Sequence, residues 1–373
     1  MKSFIFWRYP LPKTNNKTKQ NSKNKAPIGT IITAIVLVAV IFISMFLPKE
    51  QEQYRAVYID SFDTATQIIG FDDSEEEFRK KADVLNEKLI YYHKLYTIYS
   101  NYEDINNIRT ININAGKEPV KVDQAIIDLL KFSKEMYTKT NGKINIAMGS
   151  VLSIWHNYRT AGISEPETAE LPPMEKLQEA ALHTDINNII IDEEASTVYL
   201  ADEKMSLDVG SIGKGYAVQM VAEYARELGY DKMIINVGGN VASIGTRADG
   251  SGWKIGIQNP DLNAENSAVE TVQFSDKCLV TSGDYQRYYT VDGKNYCHII
   301  DPDTLMPAEH FSAVSIIIDH SGMADALSTA LFNMSYEDGL ALINSIEGAE
   351  AIWVYPDGTL KYSDNFKQFV IKE

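Results

Sequence analysis

Asp208–Val237 reads DVGSIGKGYAVQMVAEYARELGYDKMIINV. Gly210, Gly213 and Gly215 fall within six residues, directly before a helical pattern over Gly215–Leu228. An apolar strand follows at Lys232–Val237. Closely spaced glycines let the backbone approach a ligand, and the unpaired N–H groups of a helix start face an anion. Lys214 adds a positive charge at the same place. The spacing is neither the Gly-x4-Gly-Lys-Ser/Thr phosphate loop nor the G-x-G-x-x-G dinucleotide fingerprint. By itself, such a turn serves as structure as readily as it holds a ligand.

Outward from this stretch, strand-like segments fall at Tyr54–Ile59, Asn188–Ile191, Val198–Leu200, Trp253–Gln258 and Ala313–Ile318. Helices are predicted over residues 74–99, where Ala82, Leu85, Leu89, Tyr92 and Leu95 recur at helical spacing, and over Asp123–Thr140, which Asn141-Gly142 ends. Gly322–Asn333 reads as another helix. Strands and helices alternate without regular βαβ spacing, so the reading is α+β, a single domain of mixed sheets and helices.

The 373 residues carry a formal net charge of −16, unevenly spread. Lys2, Arg8, Lys13, Lys17, Lys19, Lys23 and Lys25 stand in residues 1–48 with no acid among them. The remaining 28 basic side chains face all 51 acidic ones, so residues 49–373 carry −23. Such a domain repels nucleic-acid phosphates and anionic lipid, and nucleic-acid binding is disfavoured. Any phosphate it binds must be held by local groups or a metal.

The uncharged run Ile28–Leu47, IGTIITAIVLVAVIFISMFL, has the length that crosses a hydrocarbon core as a helix. The expectation is a basic cytoplasmic tail at 1–26, an uncleaved single-pass anchor at 27–48 and an extracytoplasmic domain at 49–373. A cleaved signal peptide fits less well, because the apolar run is long and no A-x-A-like site follows. Cys278 and Cys297 are too few for a disulfide framework and lack metal-ligand spacing; they read as two free thiols, with a single long-range bridge the alternative.

Three further segments carry chemistry. Ile234–Val241, IINVGGNV, is an apolar strand ending in Asn236 and the Gly238-Gly239 pair, which suits a bulge or a ligand contact. Val280–Tyr289, VTSGDYQRYY, followed by Cys297–Pro302, CHIIDP, gathers hydroxyls, Asp284, an arginine, His298 and Asp301. Met323–Phe332, MADALSTALF, places Asp325 and Thr329 one helical turn apart. A carboxylate and a hydroxyl so placed offer Mg²⁺ two hard oxygen ligands; the bland alternative is an acid near a helix start and a back-bonded threonine.

In this order, with FDTATQI (62–68), IYSNY (98–102), INAGKEPVKV (113–122) and TNGKINIAMGSVLSIW (140–155), the segments resemble the FAD:protein FMN transferase (ApbE-like) family from about Phe62 to Phe332. The resemblance implies an α+β fold and a Mg²⁺ on the pyrophosphate of bound FAD. It places metal ligands at Asp325, Thr329 and a backbone carbonyl of Ser211 or Gly213. Flavin contacts are implied around Phe62, Ser100, Asn101, Tyr102, Asn145, Lys214, His298 and Ile299; Tyr99 or Tyr102 could also stack on the flavin ring, although core packing is the default reading in a chain with 21 tyrosines. Asp284, His298 and Asp325 become the catalytic candidates, Asp284 or His298 orienting or deprotonating the acceptor hydroxyl.

The implied activity is Mg²⁺-dependent transfer of FMN from FAD to a serine or threonine hydroxyl of an acceptor protein in an extracytoplasmic or membrane electron-transfer system. The alternatives are an FAD pyrophosphatase using water, or a flavin-binding protein without catalysis. Two departures from the family pattern stand out: Ile144-Asn145 replaces its Phe-Asp, and Thr304-Leu-Met-Pro307 replaces its Thr-Gly-x-Pro.

Overall fold

The computed structural model describes residues 51–371; the expected tail and the anchor at 27–48 lie outside the described residues. Among those described, no helix is long and apolar enough to cross a membrane.

An eight-stranded sheet runs in the order Glu52–Ser61, Thr64–Asp72, Lys232–Val237, Asn240–Gly245, Cys278–Gly283, Ala313–Ile318, Glu350–Val354 and Leu360–Tyr362. Every neighbouring pair is antiparallel. The α+β expectation is therefore met: one sheet made largely of hairpins, without the parallel crossovers of a doubly wound fold.

The central strands are apolar at successive positions because both faces are covered. Ile235, Val280, Ile316 and Trp353 belong to the main core, while Ile234, Leu279, Ile317 and Ile352 point into a second core on the opposite face. Helices Glu75–Tyr96, Gly213–Glu227 and Ser321–Phe332 cover the first face. The far face is covered by a hairpin of Trp253–Gln258 and Ala268–Phe274, pinned by the C-terminal segment through the Val272–Val370 bridge. A third, smaller core gathers Val151 and Trp155 of helix Gly149–Ser164 with Tyr289, Val291, Ile300 and Leu305.

Local signals mark the helix ends. Ser74 caps Glu75–Tyr96 by accepting from the Glu77 N–H at 3.3 Å, and Asp123 caps Gln124–Lys139 by accepting from Ala125 at 2.9 Å. Asn141 and Gly142, at φ 51° and 83°, turn the chain out of the latter. Leu305 stands in the left-handed region at φ 60°, at the position where the family pattern has glycine. Its side chain is buried in the third core, and its carbonyl accepts from Trp155 Nε1 at 2.9 Å. Both thiols, Cys278 and Cys297, are buried and free.

Candidate active site

A cleft of about 1010 Å³ opens at the ends of the sheet strands and is lined from all three cores. Its deepest acid is Asp325, on helix Ser321–Phe332 and only 4% exposed. Asp325 Oδ2 accepts from the Gly215 N–H at 2.8 Å. Lys214 Nζ lies 3.9 Å from Oδ1. Asn240, with its amide turned to satisfy both neighbours, donates to Asp325 Oδ1 at 3.2 Å and accepts from Lys214 Nζ at 2.9 Å. Burial pushes the Asp325 carboxyl up, against the opposing pull of the Lys214 charge, the Gly215 N–H and Asn240.

Gly215 explains why the glycine-rich turn precedes this helix. A Cβ there would stand 2.4 Å from Asp325 Cβ and 2.5 Å from the Ser321 carbonyl oxygen. Only a glycine lets the two helices come close enough for the turn's N–H to reach the carboxylate. Thr329, one turn beyond Asp325, faces the same cleft, with its hydroxyl 3.2 Å from Ser282 Oγ. Ser211 lines the cleft just ahead of the helix, whereas Gly213 is the first helical residue and its carbonyl turns into the helix.

The charge of the cleft is the reverse of the chain's. Arg109, Lys143, Arg159, Lys214 and Arg287 line it against Asp208 and Asp325, although Lys143 is already paired with Asp301 at 2.7 Å and Asp303 at 2.8 Å. Arg159 donates to His156 Nδ1 at 3.2 Å, one turn back on the same helix. Burial and then the Arg287 charge hold the Arg159 guanidinium below its usual range. Burial, followed by the charges of Arg287, Arg159 and Lys214, pushes the His298 imidazole down to about 3, so it is neutral at physiological pH. Its Nδ1 is buried without a hydrogen-bond partner.

Of the sequence-predicted residues, Ser211, Lys214, Asn145, His298, Ile299, Asp325 and Thr329 line this cleft. Asn145 does so with its side chain already committed, donating to the Thr184 carbonyl and accepting from the Ala147 N–H, both at 2.9 Å. Phe62, Ser100, Asn101, Tyr102, Gly213 and Asp284 are not among the residues that line the cleft. Phe62 and Asp63, at φ 55° and 50°, form the two-residue turn of the first hairpin. The Phe62 N–H donates to His93 Nδ1 at 3.1 Å, and the Tyr102 hydroxyl pairs with His93 Nε2 at 3.4 Å. The Ser100 carbonyl accepts from Asn107 Nδ2 at 2.9 Å, so this loop satisfies itself and Tyr99 is its aromatic member on the cleft.

Asp284 follows the end of its strand, where its N–H donates to the Ser312 carbonyl at 3.1 Å. Burial raises its carboxyl to about 6, and Tyr285 takes the place on the cleft wall. Sequence reasoning missed Arg159 and His156. Their signal was a cation and an imidazole three residues apart on a helix of a strongly acidic chain, and the helix itself went unrecognised.

The donor set of Asp325, Thr329 and the Ser211 carbonyl fits Mg²⁺: all are hard oxygens on one wall, and three protein ligands leave positions for phosphate and water.

Fold and cleft together define an α+β protein with a buried carboxylate in a cleft that carries five cationic side chains. The chain belongs to the ApbE family, whose family model matches residues 62–353. It is 30% identical over 281 residues to the FAD:protein FMN transferase of Treponema pallidum, covering 71% of this chain and 75% of that one. A Klebsiella pneumoniae FAD:protein FMN transferase is 30% identical over 269 residues, covering 70% and 81%. The crystal structure of the ApbE protein of Thermotoga maritima superposes with a TM-score of 0.75 at 26% identity, over 86% of this chain and all of that one.

Proposed function

We propose that this chain transfers FMN from FAD to a serine or threonine hydroxyl of an acceptor protein, releasing AMP. Family membership and the named relatives make it an enzyme of the FAD:protein FMN transferase type. The observation that carries the reading in this chain is the buried Asp325 carboxylate, one helical turn from Thr329, in a cleft whose charged residues are otherwise mostly cations.

Asp325, Thr329 and the Ser211 carbonyl are the residues that would hold Mg²⁺. When bound, the ion supplies charge neutralisation at the pyrophosphate as the P–O–P bond breaks. Lys214, Arg159 and Arg287 bind and orient the phosphates by charge-assisted hydrogen bonds. His298, neutral and with a free Nδ1, accepts the proton of the attacking hydroxyl. The hydroxyl oxygen bonds to the FMN phosphorus, and AMP departs with the electron pair of the broken P–O bond. Burial is the larger cause of the low basicity of His298, and pairing of the arginines with phosphate offsets the smaller, electrostatic one. The anchor at 27–48 would hold the domain beside an extracytoplasmic or membrane acceptor.

The test is incubation of the chain with FAD, Mg²⁺ and candidate acceptor domains, followed by intact mass. An acceptor gain of one FMN residue, abolished by EDTA, establishes the transfer. Free FMN and AMP with an unmodified acceptor replaces it with a pyrophosphatase.

A further inference from the structure

The cleft continues past the cationic site, around the end of the sheet and onto its far face. Strand alternation fixes this: Gln67 pairs with Asn236, and Asn236 with Val241, which pairs with Leu279. These four share the face of Ile69, Ile234 and Ile317, which is the far one. All four line the cleft, whereas Asp325, Lys214 and Asn240 lie on the helix-covered face.

The far lobe has a different chemistry from the near one. Its floor is two amides and two apolar side chains, and its remaining wall is strand Trp253–Gln258 with Gln286 beyond it. None of the five cations or two acids of the cleft belongs to the floor or that strand. The strand has only one partner, Ala268–Phe274, whose other side is held by the C-terminal segment through Gln273 N–H to Phe369 O at 2.8 Å and Ile371 N–H to Thr271 O at 2.9 Å. Ile255, on the inward side of the pleat, and Gly256 and Gln258, on the outward side, all border the cleft. What borders it is therefore the strand's open edge, with glycine at its middle, no proline, and its one charge, Lys254, on the outward side and not among the residues lining the cleft.

We propose that this lobe receives an extended, uncharged segment of the acceptor protein as an added strand on the edge of Trp253–Gln258, delivering its hydroxyl around Gly238-Gly239 to the cationic site. The proposal rests on the transferase reading and supplies its second substrate site. A dinucleotide pyrophosphate finds no counter-charge in this lobe, but a polypeptide backbone finds an unpaired edge and amide side chains. Main-chain pairing supplies affinity, and the neutral floor selects against charged flanking residues.

The probe is a Gly/Ala decapeptide with one central threonine, alongside versions bearing aspartate or lysine beside the threonine. With FAD and Mg²⁺, the neutral peptide should gain FMN and the aspartate peptide should do so poorly. Gln67→Glu/Gln258→Glu should raise KM for the neutral peptide at least about tenfold, leave KM for FAD unchanged, and restore use of the lysine peptide. In amide hydrogen exchange, the peptide and not FAD should protect residues 253–258. Protection by FAD alone, a shift in KM for FAD, or an unmoved peptide KM overturns the proposal. Exchange protection by the peptide without any FMN transfer leaves the lobe standing and sinks the transferase reading instead.

Discussion

The two lobes of the cleft share one rim of the sheet and differ in almost every other respect. The near lobe gathers five cations and a buried carboxylate from helices and turns that lie far apart in sequence, and its key hydrogen bond joins residues 110 positions apart. The far lobe is built from neighbouring strands and a hairpin, with amides and apolar side chains and no charge on its floor. The difference separates holding an anionic nucleotide from admitting a neutral chain. An acidic protein can do the first only where its few cations converge.

Replacing Asp325 by Ala should have the largest effect and would break the near lobe outright. Transfer should fall by about 10³-fold or more, since the variant loses the only charged group of the proposed metal site and leaves the Gly215 N–H without its acceptor. Initial rates against Mg²⁺ concentration check this, and a rate within about tenfold of wild type removes the mechanism. His298→Ala should cost about 10²–10³-fold. The sharper test is the pH profile. Burial and three cations depress the free imidazole to about 3, so His298 itself should add no acid limb to kcat/KM above about pH 4, and any limb there belongs to Asp325, whose carboxyl burial pushes up. Once phosphates neutralise those cations the imidazole pKa rises, so its acid limb should appear at a higher pH in kcat than in kcat/KM.

Arg159→Gln should raise KM for FAD about tenfold and flatten its dependence on ionic strength. The peptide's KM should be nearly independent of salt in both proteins, which tests the contrast between the lobes directly. The smallest kinetic effect is expected from Asp284→Asn, within about twofold of wild type because Asp284 does not line the cleft. Its signature is in stability. The folded carboxyl titrates at about 6 against 3.8 in an exposed group. The folded state therefore binds the proton more tightly, and stability declines as pH rises from about 4 to about 6. The asparagine variant should lose that decline, as read by urea unfolding at pH 4 and pH 7.

The contrast also explains what the sequence made legible. Elements with a strong period appear where expected: Lys232–Val237, Trp253–Gln258 and Ala313–Ile318 match the observed strands, and the capped helix after Asp123 ends at Thr140. Asp325, Thr329 and the turn at Lys214 were readable because their spacing has a local meaning, a helical turn or a helix start. Helix Gly149–Ser164 was passed over, since it buries only part of one face and its pattern is mixed. Arg159 was lost with it. Phe62 and Tyr102 stand at the hairpin turn and against His93, contacts that the motif alone does not reveal, because a motif marks a neighbourhood and not the direction of each side chain. The far lobe was invisible to sequence, as it exists only once three strands and a hairpin are in register.

Gly215 lying against Asp325 has one more consequence. The contact closes a loop spanning a large part of the chain and requires both helices to be fully docked on the sheet. Contacts of such separation form late in folding, after the local hairpins and helices. A half-folded chain thus holds its acids, cations and hydroxyls apart and has no chemistry to misdirect. Reactivity switches on with the final packing step, so the first sign of catalysis is also a certificate that the molecule has finished folding.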